Sequence, residues 1–166
     1  LGSLGRPLER APEHDRAAEE LEKLTQERDL FEEAAEVLEG VYRARGKTDR
    51  LAALYEKRVG FADTPGERID MRRNLARVLE DDCNDASAAQ RVLQQGLLDD
   101  PTDSQLTEEI ERLAPVTQNW EGAAAALSEA IDQKGGELSP EVARDLCVRL
   151  ATWLRDKVEG ARAAEK

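Results

Sequence analysis

From Glu13 onward, leucine, isoleucine, valine and alanine return at intervals of three and four residues, and no stretch alternates with a period of two over the length of a strand. The first spacing puts apolar side chains on one face of a helix, whereas a half-buried strand needs the second. The pattern predicts helices over residues 14–26, 29–45, 48–62, 65–83, 86–99, 103–114, 120–134 and 139–158, with a ninth starting at Ala161. Residues 1–12 carry Gly2, Gly5, Pro7 and Pro12 and read as a flexible lead-in or cloning remnant, which leaves 13–166 as a single helical domain.

The breaks between these segments carry stop and start chemistry. In "TPGE", Thr64 precedes Pro65 at the first helical position and Glu67 follows three residues later, so a hydroxyl and a carboxylate are placed to satisfy orphaned amides. "SPE" at Ser139 to Glu141 offers much the same. Gly46, the Gly135-Gly136 pair and Gly160 are expected to close helices in the left-handed conformation.

The chain also repeats itself. "YEKRV" (Tyr55 to Val59), "LQQGL" (Leu93 to Leu97) and "LSEAI" (Leu127 to Ile131) align with one another at two similar intervals. A longer period, about twice as long, carries Leu75, Ala76 and Leu79 onto Leu150, Ala151 and Leu154 by one common offset. The shorter intervals are those of helix-pair repeats, which recur every ~33–47 residues and in which each pair hides its apolar face only by stacking on its neighbours.

The residue types sharpen this. Leu75, Ala76 and Leu79 give a large–small–large set on one helix, and Ala89, Leu93, Gly96 and Pro101 give small–large–small and a closing proline on the next. This set resembles the tetratricopeptide repeat. Ile110, Ala114, Ala123, Leu127 and Ala130 repeat it with Glu111 at a usually small position, while Leu38, Tyr42 and Tyr55 repeat it with Glu39 and Leu51 out of pattern. Leu150, Ala151, Leu154 and Ala163 or Ala164 open a further copy. The resemblance covers residues 29–166 and, more loosely, 14–28. It implies an all-α fold: a right-handed superhelical solenoid of antiparallel helix pairs, about eight to nine helices. "EGARAAEK" starts a repeat without completing it, so a fragment of a longer, degenerate array is expected, and 18 Arg against 6 Lys suits a GC-rich bacterial source.

Charge and chemistry then narrow the function. A formal charge of −12 repels phosphate backbones, so nucleic acid is not expected as a partner. No run of eighteen apolar residues is present and the first residues lack a secretory signal's pattern, so no membrane insertion and a cytoplasmic location are expected. Cys83 and Cys147 lack metal or redox spacing, and His14 is the sole histidine, at the N-terminal edge. With no phosphate-binding glycine loop and no nucleophile motif either, the chain is not expected to be an enzyme, and no cofactor or metal is expected.

What the resemblance implies instead is a protein-interaction module or scaffold that binds a peptide or folded partner on the concave surface lined by the first helix of each pair. Counting two positions either side of Leu75 and Leu150, and onward by a turn, gives Arg73, Arg77 and Glu80 and then Val148, Thr152 and Arg155. Equivalent counting gives Glu36 with Arg43 and Glu108 with Arg112. Arg43, Arg73, Arg77, Arg112 and Arg155, with Thr152, are thus the candidate partner-binding residues. Two-pronged guanidinium groups suit an acidic peptide, a C-terminal carboxylate or an acidic protein face. The plainer reading pairs these arginines with Asp70, Glu80, Asp81, Glu108 or Asp145 along the helix surface. Trp120 and Trp153 read as packing residues, with Trp153 an interface anchor only if it is exposed. The alternative function is a structural spacer, or a segment that self-associates through its uncapped C-terminal end.

Overall fold

The computed structural model describes the backbone of residues 6–165 and the side chains of 15–165. Among the described residues it is helical throughout, with turns between and no strand. The elements are α1 (Arg6–Leu24), α2 (Arg28–Arg45), α3 (Thr48–Phe61), α4 (Pro65–Arg77), α5 (Ala86–Asp99), α6 (Ser104–Thr117), α7 (Trp120–Lys134), α8 (Pro140–Thr152) and α9 (Gly160–Glu165). π-helical segments extend α4 over Val78–Asp82 and join α8 to α9 over Trp153–Glu159.

Most starts and stops follow the local chemistry. The Thr64 hydroxyl accepts from the Glu67 amide at 3.1 Å, and the Glu67 carboxylate accepts from the Asp63 amide at 3.1 Å. Ser139 caps Val142, Asp85 caps Ala88, Asp103 caps Leu106 and Asn119 caps Gly122, each side-chain oxygen taking one orphaned amide. A Cβ at Gly122 would sit 2.5 Å from the Asn119 side-chain nitrogen, so a larger residue there would require that capping side chain to shift. Gly46 closes α2 at φ 66°, as expected of a left-handed terminus.

Four expectations are corrected. Helix α1 begins at Arg6, so much of the segment read as a lead-in is helical; residues 1–5 and the side chain of His14 lie outside the described residues. Helix α6 runs past Ala114 to Thr117 with Pro115 in its last turn, where the proline removes a single amide donor, the one that would serve the Glu111 carbonyl; Gln118, at φ 55°, closes the helix instead. Gly135 keeps a right-handed conformation at φ −55°, and Gly136 is not left-handed either. Gly160, at φ −60°, does not stop the helix, so the expected ninth helix follows the eighth through the π segment without a break.

The chain divides after Leu54, within α3. In the first unit, Phe31, Ala34, Ala35, Leu38 and Tyr42 form the buried face of α2, and Ala18 contributes from α1. The Tyr42 hydroxyl donates to Glu22 Oε1 at 2.5 Å, and Arg50 donates to the same oxygen at 2.9 Å. Burial, followed by the hydrogen bond to the Glu22 carboxylate, pushes the Tyr42 phenol up from its usual 10.0 to about 12.

The second unit has one core built from matched positions. Ala89, Leu93 and Leu97 of α5 and Ala123, Leu127 and Ala130 of α7 are almost wholly buried with Leu106, Ile110, Leu113 and Ala114 of α6. Gly96 lets α6 approach: a Cβ there would lie 3.1 Å from Leu106 Cδ1 and 3.2 Å from Cδ2. The interior polar groups are satisfied. Gln90 donates to Gln94 and to the Asn119 carbonyl at 2.9 Å, and Thr117 donates to Gln90.

Two measurements check this packing. Gly96→Val drives a branched side chain into fully buried Leu106 and should destabilise the protein by roughly 1–3 kcal/mol in urea denaturation; no loss would mean that the α5–α6 approach is looser than described. Tyr42 keeps its proton in the folded chain above the pH at which the unfolded phenol loses it. Its contribution is therefore complete below pH about 10 and lost as pH rises toward about 12. A spectrophotometric titration should show a late-ionising tyrosine that Tyr42→Phe removes.

Candidate functional site

Helices α4, α6 and α8 are joined in that order by side chains reaching across their exposed edges. Arg73 Nη1 donates to Gln105 Oε1 at 2.7 Å, and its Nε lies 3.4 Å from Glu109 Oε2. Arg112 donates through both terminal nitrogens to the two Glu80 oxygens, each at 2.7 Å. From α6 to α8, Glu111 Oε1 accepts from Trp153 Nε1 at 3.1 Å and lies 3.8 Å from Arg149 Nε. The partners advance along both helices together, residues 73 and 80 on α4 and its π segment meeting 109 and 112 on α6.

The expected arginine strip is therefore distributed rather than gathered. Arg73 is turned in among Gln105 and Glu109, and its side chain retains only 19% of its accessible surface. Arg112 spends its two-pronged geometry on Glu80 and Arg73 lies against Glu109, so both pair across to a neighbouring helix and not along their own, as the plainer reading had it. Arg155 pairs with its neighbour Asp156 at 2.9 Å, and Arg43, in the first unit, pairs with Glu39 on its own helix. Arg77 is exposed on α4. The Thr152 hydroxyl donates to the Val148 carbonyl at 2.9 Å.

Between α6 and α8 lies a groove of about 310 Å³ lined by Glu111, Asp145, Val148, Arg149, Thr152 and Trp153. It brings Thr152 and the exposed Val148 together with two carboxylates and one guanidinium. Counting along the helices identified Val148 and Thr152 but missed Glu111 and Arg149. One signal was present: Glu111 departs from the repeat's small-residue position, and the structure gives that carboxylate a purpose in holding the Trp153 indole.

Trp153 is 3% exposed, so it is a packing residue and not an exposed anchor. Its ring meets Trp120 edge-on, with centroids 5.7 Å apart, and the Lys157 ammonium sits 5.6 Å above Trp120. A wider groove of about 500 Å³ opens beside Trp120, lined in part by Pro115, Lys157, Ala161 and Arg162. Among the described residues, no cluster of three or more His, Cys, Asp or Glu could hold a metal ion, and no helix is long and apolar enough to cross a membrane.

The internal repetition extends to backbone detail. The π segments start at Val78 and at Trp153, which are related by the same offset as Leu75 and Leu150, and both residues are 3% exposed. The Val78 amide reaches the carbonyls of Asn74 and Leu75, and that of Trp153 reaches Arg149 and Leu150, again in matching register. A π turn inserts an extra residue and re-aims the face that follows it, so its return at one register position marks equivalent helices. Compared with protein-family models, curated proteins and solved structures, the chain matches none.

Arg112 holds the Glu80 carboxyl below its usual range, chiefly through their hydrogen bonds. Because the folded value lies below the unfolded one, the pair stabilises above the ordinary carboxylate pKa of about 4.3 and stops doing so as pH falls through the folded value. The Arg112 side chain is half exposed, which limits the effect. Glu80→Gln should cost at most about 1 kcal/mol at pH 7, and the difference should shrink on acidification in parallel urea titrations. A difference independent of pH would detach the cost from this ion pair.

Proposed function

We propose that the second unit is a stack of tetratricopeptide-like antiparallel helix pairs and that the chain is a protein-interaction module. The observation that carries this reading is the long-period recurrence, in which Val78 and Trp153 are buried alike and open the same π turn. In this reading α4, α6 and α8 are the first helices of successive pairs and α5 and α7 the second; the recurrence supports the equivalence of α4 and α8. Repeats of this kind form an extended, curved surface with no enclosed chamber for a reaction, which suits docking and not catalysis.

The partner surface in this reading is the row α4–α6–α8, and the ligand is an acidic peptide or an acidic face of a folded protein. Arg77 is an exposed cation on α4, and Val148 and Thr152 supply an apolar contact and a hydroxyl on α8. Arg73 and Arg112 bind such a ligand only by exchanging Glu109 and Glu80 for its carboxylates. That exchange favours the second reading, a spacer within a helical array, wherever a ligand's acid is too weakly placed to compete.

Fluorescence anisotropy with a panel of acidic peptides separates the two. An interaction module should show saturable binding that Arg77→Glu weakens about tenfold, since reversing a charge replaces attraction with repulsion. Absence of binding across the panel would support the spacer.

A further inference from the structure

Across the row α4–α6–α8 the charges left without partners change sign. Arg77 on α4 is exposed and makes no hydrogen bond or ion pair with the described residues, and the same holds for the Asp145 carboxylate on α8. Glu111 gives Oε1 to Trp153, and that oxygen also lies 3.8 Å from Arg149 Nε, so Oε2 is unused. Glu111, Asp145 and Arg149 line one groove, where two carboxylates face a single guanidinium. Arg149 is held on the Glu111 side, so Asp145 is the charge it leaves unanswered. The seam between α4 and α6 has no such excess, since Arg73 and Arg112 meet Glu109 and Glu80 one for one.

The exposure of Asp145 is a property of its register position. Its counterpart by the long-period offset is Asp70, which is exposed on α4 with α6 already alongside. Heights along the helices also agree. Arg73 and Glu80 meet Glu109 and Arg112, so Arg77, between them, stands level with Glu111, which in turn meets Arg149 and Trp153 on α8. The counterpart of Arg77 is Thr152, and it lines the same groove. Asp70 and Asp81 lie to either side of that level. Packed helix axes run ~8–10 Å apart, which puts the α6–α8 groove about 12–15 Å across the row from α4, and an extended peptide covers that distance in about four to five residues.

We propose that the row selects a peptide of mixed charge: an acidic residue that meets Arg77 and, about four to five residues away, an arginine or lysine whose cation enters the α6–α8 groove against Asp145 and Glu111 Oε2. This rests on the reading of the row as the partner surface and narrows its ligand from an acidic peptide to a dipolar one. Charge complementarity carries it. A uniformly acidic ligand would gain at Arg77 and be repelled by exposed Glu108 on α6 and by Asp145 on α8, whereas a ligand with a base at that end is attracted at both. The long stem of an arginine or lysine also suits a groove, since it can lie along the walls while the charged head reaches the carboxylates.

The probes are fluorescein-labelled peptides of one neutral background that carry two adjacent glutamates and two adjacent arginines, in either order, separated by one, four or nine residues. Titrated with the whole protein in an anisotropy assay, the four-residue spacing should bind most tightly. Replacing its arginines by citrulline, which keeps the shape and removes the charge, should weaken binding at least about threefold. Asp145→Asn should weaken the arginine peptide similarly and leave the citrulline peptide unchanged, while Arg77→Glu weakens both. Asp145 is exposed, and circular dichroism should show the variant as helical as the parent. Binding that Arg77→Glu weakens but that neither citrulline nor Asp145→Asn alters would overturn the proposal and leave the docking reading in place. Absence of binding by every peptide would remove both.

Discussion

Close approach of helices at positions with little or no side chain governs the second unit. Ala89, Gly96, Ala123 and Ala130 present almost no bulk, and Leu93, Leu97, Leu106 and Leu127 fill the space so created. Interiors pack to crystal-like density, so a small residue is as much a constraint as a large one: each fixes how near the facing helix can come. The polar bonds of Gln90 to the Asn119 carbonyl and of Thr117 to Gln90 fit only at that separation.

Electrostatics act on top of this packing. A chain with twelve excess negative charges still places cations against carboxylates across neighbouring helices, as with Arg68 and Arg72 on Asp99, Arg73 on Glu109 and Arg112 on Glu80. Individually such pairs contribute little, and their use here is alignment. Each holds a residue of one helix opposite a residue near the same height of the next, which orders the exposed row without burying an unpaired charge. The side effect is that most cations on that row already have partners, which leaves Arg77, Val148 and Thr152 as its accessible chemistry.

Helix extents were largely legible along the chain because their determinants are local. Thr64, Asp85 and Ser139 are caps whose oxygen and amide lie three residues apart, and the apolar period of Leu75, Ile110 and Leu127 marks the buried faces directly. The errors are local too, but two-sided. Gly135 and Gly160 permit a left-handed stop without requiring one, and whether the chain uses it depends on whether a cap and a packing surface wait on the far side. Glu111 looked like a flaw in the repeat until the position of Trp153, far along the chain, explained its carboxylate.

By itself, then, the order of residues determined that this protein is helical, where most helices begin, which faces are apolar and that the pattern recurs with both a short and a long period. The helices and their faces depend on spacings of three, four or a few more residues, within reach of one helical turn or cap, and the recurrence is a property of the string of residues alone. Only the tertiary structure decided which carboxylate each arginine meets, that π turns follow Leu75 and Leu150, and that Ala151 is exposed while its counterpart Ala76 is buried. The reason is that identical local patterns have different surroundings: burial and ion pairing belong to whichever helix arrives alongside, and nothing within a turn of Ala76 or Ala151 specifies that arrival.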